Sequence, residues 1–290
     1  MAVAAPRPRQ RRRAGSRAGA GGPRYPGWLS LPALAWYVAF FICPLAIMAV
    51  FSFSRREGFT GIVYDFNLEN YEDLIDPLYG EVFTRTLGLA GVGTLATLVI
   101  GFPLAYYLAR FAKHKTLLLL LVVVPFWTSI LIRTYAWLII FSPDFPLAGD
   151  LGWLYQTEAV YVGVVYNYLP LMVLPVYAAL ERMDWSLVEA AQDLGDSPAR
   201  AFRRITLPLA APGVVAGSLL VFIPMMGEYL NPVILGGDKT VYAGNLIGQQ
   251  FLSSRDWPFG SAIAMVLILS MTAVVLVYAR LVSREEAVHG

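Results

Sequence analysis

Six nearly uncharged runs decide most of what this chain can become. They cover about residues 29–53, 86–109, 116–141, 159–180, 212–235 and 260–281. Each is long enough to cross the hydrocarbon layer of a bilayer as a helix, which takes about 20 residues. That layer holds no water to satisfy backbone groups, so a crossing segment is either a helix or a strand of a closed barrel. None of the six runs alternates apolar with polar residues as a barrel strand does. The expectation is an all-α membrane protein with six transmembrane helices. Composition agrees: 57% of residues are hydrophobic and 14% charged, where a soluble domain carries about a quarter charged.

Basic residues in the short loops set the orientation. Seven arginines precede the first run, between Arg7 and Arg24. Arg110, Lys113 and Lys115 separate runs two and three; Arg182, Arg200, Arg203 and Arg204 separate four and five; Arg280 and Arg284 follow the sixth. The intervening loops are acidic. Residues 142–158 hold Asp144, Asp150 and Glu158 with no basic residue, and the 54–85 loop has more acids than bases. The alternation predicts a multi-pass membrane protein with both termini cytoplasmic. Residues 1–27, rich in Arg, Ala, Gly and Pro, are expected to be a disordered cytoplasmic tail, and 28–285 the membrane domain. The net charge of +2 gives no basic footprint for nucleic acid. One cysteine, Cys43, excludes an internal disulfide and reads as a small buried apolar side chain. With His114 and His289 the only histidines, no metal-ligating or catalytic constellation forms.

The cytoplasmic loop 182–208 is unusually polar for its surroundings. Ser186 and Glu189 have capping-box spacing. Leu187, Ala190, Ala191 and Leu194 fall on one helix face, and Gly195 stands where that helix would end. Asp196 or Ser197 would cap a second helix, with Pro198 in its first turn. Ala201, Phe202 and Ile205 give this helix an apolar stripe, Arg200, Arg203 and Arg204 a wet face, and Pro208 helps to end it. Such a hairpin can lie on the inner leaflet or dock a cytoplasmic partner.

The same stretch resembles the EAA signature of permease subunits of ABC importers: Glu189-Ala190-Ala191, three residues, Gly195, nine residues, Ile205, one residue, Leu207-Pro208. The resemblance implies the type I ABC importer permease fold. It also implies a coupling helix, with Ser186, Glu189, Ala190, Ala191, Asp193, Gly195, Ile205 and Pro208 facing or shaping the contact with the ATPase. The implied partners are a cytosolic ATPase dimer carrying ATP and Mg, a second permease subunit, an extracytoplasmic substrate-binding protein and membrane lipid. The chain has no G-x-x-x-x-G-K-[ST] phosphate loop, so no cofactor and no catalytic role is assigned to it. PFWTSILIRTYAW (125–137), VFIPMMGEYLNPVILGG (221–237) and RDWPFGSA (255–262) resemble permeases of spermidine/putrescine importers. Related permeases for ferric iron, thiamine or sulfate share the loop, and an ion-coupled secondary transporter is a more distant alternative.

Ionisable residues inside a membrane are costly and are usually paired or functional. Glu228 in run five and Arg133 in run three lie at similar depth. They are read either as an ion pair or as a site where Glu228 meets a cationic substrate. Trp137, Tyr166, Tyr229 and Asn231 would line the pathway. Gly93, Thr97 and Gly101 mark a close helix contact, within the subunit or between subunits. Pro44, Pro103, Pro125, Pro170, Pro175 and Pro224 are expected to interrupt spans. Asp256, Trp257 and the acid-rich 65–81 loop are candidates for contacting the binding protein.

Overall fold

The computed structural model describes residues 31–58, 61–146, 148–237 and 240–289. The tail 1–27 lies outside them. The chain divides into two units, Met1–Ala46 and Ile47–Gly290. Its elements are α1 (Leu31–Ser52), a small antiparallel hairpin of β1 (Arg55–Glu57) and β2 (Gly61–Val63), α2 (Glu69–Asp73) and α3 (Pro77–Arg110). Next come α4 (Lys115–Trp127), α5 (Ile130–Ile140), α6 (Thr157–Glu181), α7 (Ser186–Asp193) and α8 (Pro198–Met226). A π-turn over Pro232–Gly236, α9 (Ala243–Gln249) and α10 (Trp257–His289) complete the fold. Five helices are long and apolar enough to cross a membrane, and α4–α5 makes a sixth if the bent pair counts as one span.

The core of the second unit is α3, α6 and α8, which pack on one another more extensively than any other elements. Lipid tails are as apolar as leucine, so the drive is close van der Waals contact and not the expulsion of water. Small residues allow that contact. A Cβ on Gly93 would meet Met225 Sδ at 2.8 Å, and one on Gly101 would meet Met172 Cγ at 3.0 Å. One on Gly213 would stand 2.6 Å from Ala179 Cβ and 3.0 Å from Val176 Cα. Thr97 is fully buried, its hydroxyl donating to the Gly93 carbonyl. The Gly93–Thr97–Gly101 stripe is thus an intramolecular contact with α6 and α8.

The prolines behave differently from expectation. Pro103 lies within α3, Pro170 and Pro175 within α6, and Pro224 within α8, and each helix runs through. A helix that unwound in lipid would expose unsatisfied backbone groups, and packed neighbours hold these together. Two prolines follow π-turns by two residues: Pro44 after Val38–Ile42 and Pro208 after Phe202–Thr206. The wider turn shifts the carbonyl row that the proline ring would otherwise strike. Pro208 therefore does not end the second loop helix, which continues as α8. Only Pro125 sits at a real break, where α4 and α5 meet at 91°. There Pro125 begins a tight turn, Thr128 is extended at φ −77°, ψ 151°, and the Thr128 hydroxyl donates to the Pro125 carbonyl. The expected fifth span also differs: α8 starts at Pro198 and stops at Met226, so the helix breaks at Gly227. Cys43, expected to be buried, is exposed on α1.

Candidate functional site

The 182–208 loop, expected to couple to an ATPase, is built around two turns of backbone. The α7 helix opens on Asp184, whose Oδ1 accepts the Ser186 N–H at 3.0 Å. Hydrogen bonds from Ser186 hold the Asp184 carboxyl below the ordinary aspartate range. Ser186 is therefore the first helical residue, Trp185 holds the N-cap position, and the Ser186–Glu189 capping box does not form, because Ser186 lies one residue inside the helix. The helix closes as expected at Gly195, with φ +97°. The Gly195 N–H donates to the Gln192 carbonyl and the Asp196 N–H to the Ala191 carbonyl, the pair of bonds that defines a Schellman motif. Ser197 caps the next helix by accepting from the Arg200 N–H. Asp196 sits between Arg200 at 3.3 Å and Arg204 at 3.7 Å.

The loop's own core is Met183, Val188 and Ala201, with Trp185, Ala191 and Ile205 packed against it. Trp185 and Phe202 both meet Tyr106 of α3 edge-on, at 5.7 and 5.8 Å between ring centres. The Arg110 guanidinium lies 5.0 Å over Trp185. These aromatic contacts seat the loop on the C-terminal end of α3. Sequence reading missed them, although two aromatic residues flanking a polar loop were visible. The α7 face also differs from expectation: Val188 is buried, whereas Leu187 is 48% and Leu194 90% exposed. Glu189, Ala190 and Asp193 are exposed beside them. Of the apolar stripe read from periodicity, Leu187, Ala190 and Leu194 thus point away from the chain, while Ala191 packs inward with Trp185 and Val188.

A second constellation lies where span five breaks. Gly227 ends α8, and Glu228, 5% exposed, turns its Oε1 back onto the N–H groups of Leu230 at 3.1 Å and Asn231 at 3.2 Å. Its Oε2 accepts the Tyr168 hydroxyl at 2.6 Å. The carboxylate caps the turn after the break and fastens it to α6. Asn231 Oδ1 accepts from the Thr134 hydroxyl on α5 and from Asn167 Nδ2 on α6, both at 3.3 Å. Gly163 makes room for this approach, since a Cβ there would lie 2.6 Å from Asn231 Oδ1. Arg133 does not pair with Glu228; its guanidinium stands 5.6 Å from the Phe126 ring centre. Glu228 Oε2 instead takes its hydrogen bond from Tyr168.

Among the other expected pathway residues, Trp137 and Tyr166 pair edge-on at 5.5 Å. Tyr229 lines a cavity of about 530 Å³ with Val233, Asn245 and Gln249. The acid-rich loop and Asp256 do converge: Glu72, Asp73, Asp76 and Asp256 line a cavity of about 750 Å³ with Tyr79 and Phe259. Asp256 also pairs with Arg56 at 3.5 Å.

Comparison with known proteins places this geometry. Residues 86–286 match the family described as the binding-protein-dependent transport system inner membrane component. The spermidine/putrescine transport system permease protein PotB of Escherichia coli (strain K12) is 42% identical over 258 residues, covering 85% of this chain and 94% of that protein. PotB of Haemophilus influenzae is 40% identical over 257 residues, covering 85% and 90%. In fold, the chain resembles one from a bacterial ABC transporter involved in import of the acidic polysaccharide alginate. That match has a TM-score of 0.73 at 16% identity, over 89% of this chain and 94% of that chain. It also resembles a chain of the MetNI methionine ABC transporter, with a TM-score of 0.58 at 20% identity over 72% and 98%. A family match spanning most of the described core, joined to relatives of 40% and 42% identity along nearly their whole length, makes this chain a member of the family of inner-membrane components of binding-protein-dependent transport systems.

Proposed function

We propose that the chain is the permease subunit of an ATP-driven importer of polyamines, with spermidine and putrescine as substrates. The observation that carries the mechanism is the outward side of α7. A helix held by its own Schellman motif offers Leu187, Ala190 and Leu194, beside Glu189 and Asp193, to a surface this chain does not contain. A cytosolic ATPase dimer fits that surface, with ATP and Mg held by the ATPase. Nucleotide binding would draw the ATPase halves together, move α7, and pass the motion into α8, with which the loop is continuous. This is alternating access driven by a partner. The polyamine assignment rests on the 42% identity to a spermidine/putrescine permease.

In this reading both termini face the cytoplasm, a second permease subunit completes the pathway, and an extracytoplasmic binding protein delivers substrate. The acidic cavity around Asp76 and Asp256 lies in segments assigned to the outer side, where a polycation would arrive. Glu228 would meet one ammonium group of the substrate in place of the Tyr168 hydroxyl. Trp137, Tyr166 and Tyr229 would offer ring faces to the methylene chain and its charges. The test is energised uptake of labelled spermidine by cells expressing the full transporter. Uptake is expected to require this chain and to be blocked by excess putrescine but not by ferric iron, thiamine or sulfate. An intact complex that moves no spermidine would overturn the substrate assignment.

A further inference from the structure

The seats that hold α8 change in kind along its length. At Gly213, toward the 182–208 loop, the neighbour is the backbone of α6: an added Cβ would stand 2.5 Å from the Pro175 carbonyl oxygen and 3.0 Å from Val176 Cα. At Gly217 it would meet Met172 Sδ at 2.9 Å and the Met172 carbonyl oxygen at 3.1 Å. Near the break the seat is a side chain over a glycine. Met225 of α8 lies against Gly93 of α3, with Sδ 2.8 Å and Cε 3.4 Å from where a Cβ would be, and Val164 Cγ2 of α6 follows at 3.7 Å. The three nearest atoms there all belong to side chains. Met225 and Met226 are both fully buried.

The two kinds of seat respond differently to movement. Backbone pressed on backbone leaves one close-packed arrangement, because neither side has a side-chain torsion to turn. Methionine is unbranched, with three rotatable bonds, and repacks into irregular space. A glycine opposite leaves no Cβ in the way of that rotation. Rigid seating was available in this bundle, as Gly213 shows, yet the end of α8 beside the break rests on methionine. Met225 is also joined to the break: its carbonyl accepts the Glu228 N–H at 3.2 Å, so a shift of the Met225 backbone carries the turn that bears Glu228. We infer that Met225 is a positioning residue for Glu228: its side chain turns over Gly93 as the end of α8 shifts across α3, and the carboxylate is carried with it. The inference rests on the alternating-access reading above and names the contact that takes up the movement.

The experiment uses the assembled transporter in vesicles and has two readouts. Met225→Ile stays apolar but fixes the first side-chain torsion within a helix. Met225→Leu keeps more freedom, and Gly93→Ala puts a Cβ in the path of the methionine. The maximal uptake rate is expected to fall about fivefold or more for Met225→Ile and Gly93→Ala and about twofold for Met225→Leu, while KM stays unaltered and the rates do not follow the melting temperatures. The second readout is the distance between spin labels on Leu95→Cys of α3 and Leu220→Cys of α8, both exposed positions, with the single native cysteine replaced by Cys43→Ser. That distance is expected to change by about 2 Å between the nucleotide-free and ATP-trapped transporter and to stay fixed in Met225→Ile. A constant distance in a transporter that takes up substrate normally would overturn the inference. So would unaltered rates for Met225→Ile and Gly93→Ala, or rates that fall only in step with melting temperature. An unaltered complex that moves no substrate on addition of ATP would instead overturn the alternating-access reading, and the inference with it.

Discussion

Gly195 works through its backbone alone. At φ +97° any side chain is strained, yet nothing lies within 4 Å of the space a Cβ would fill. Gly195→Asp therefore adds no clash. It adds conformational cost of about 1–2 kcal/mol and a charge beside the surface proposed for docking. We expect it to insert normally while uptake falls several-fold, measured as initial rate per inserted chain; an unchanged rate would sink the coupling role. At Glu228 charge and capping can be separated. Glu228→Gln keeps an acceptor for both N–H groups and a partner for Tyr168, so it should leave thermal stability nearly unchanged while impairing uptake. Tyr168→Phe leaves a buried carboxylate oxygen without its donor, worth about 1–3 kcal/mol, and should lower the melting temperature in detergent. The reverse ranking of the two variants would remove Glu228 from the pathway. Sequence spacing found Glu228 and Arg133 at matching depth. It could not show that a tyrosine from α6 donates to the Glu228 carboxylate, because which donor reaches a buried acceptor is settled by packing. The capping box failed because the helix begins one residue early, with Trp185 and not Ser186 at its N-cap.

Helices were more legible than their faces. Apolar runs located α1 and α6 closely and the end of α3, since length and apolarity are what a bilayer demands, but α3 begins at Pro77, well before its apolar run. The breaks at Thr128–Ser129 and Gly227 left no gap in hydropathy, so the third and fifth runs read as straight spans. On α7, periodicity identified an apolar stripe but not what covers it, because two stripes of helical spacing lie side by side: Trp185, Val188 and Ala191 within the chain, Leu187, Ala190 and Leu194 outside it. The glycines of the helix seams make a sharper prediction. A Cβ at Gly213 presses on the α6 backbone at Val176, which cannot give way, whereas one at Gly93 presses on the flexible tail of Met225. Gly213→Ala should thus lower thermal stability by about 1–3 kcal/mol and Gly93→Ala by clearly less. Equal losses in a detergent melting experiment would show that α6 and α8 are not packed as tightly as described.

The whole molecule depends on whether the bent α4–α5 pair crosses the membrane. The basic loop before it and the acidic loop after it belong on opposite sides, so we expect a full crossing. Reporter fusions after residue 145 should then report the outer side, and fusions after residue 184 the cytoplasm. A cytoplasmic signal at 145 would make the pair re-entrant and place the coupling loop on the wrong side for an ATPase. The continuity of α8 has a further consequence. Its 29 residues make a lever about 43 Å long, rooted in the coupling loop and ending at the break beside Glu228. Tilting such a lever by about 5° carries its tip about 4 Å, farther than the 2.6 Å that separates Tyr168 from Glu228. A stroke that barely alters the outline of the 182–208 loop is then enough to exchange one set of hydrogen-bond partners for another at the far end of the helix.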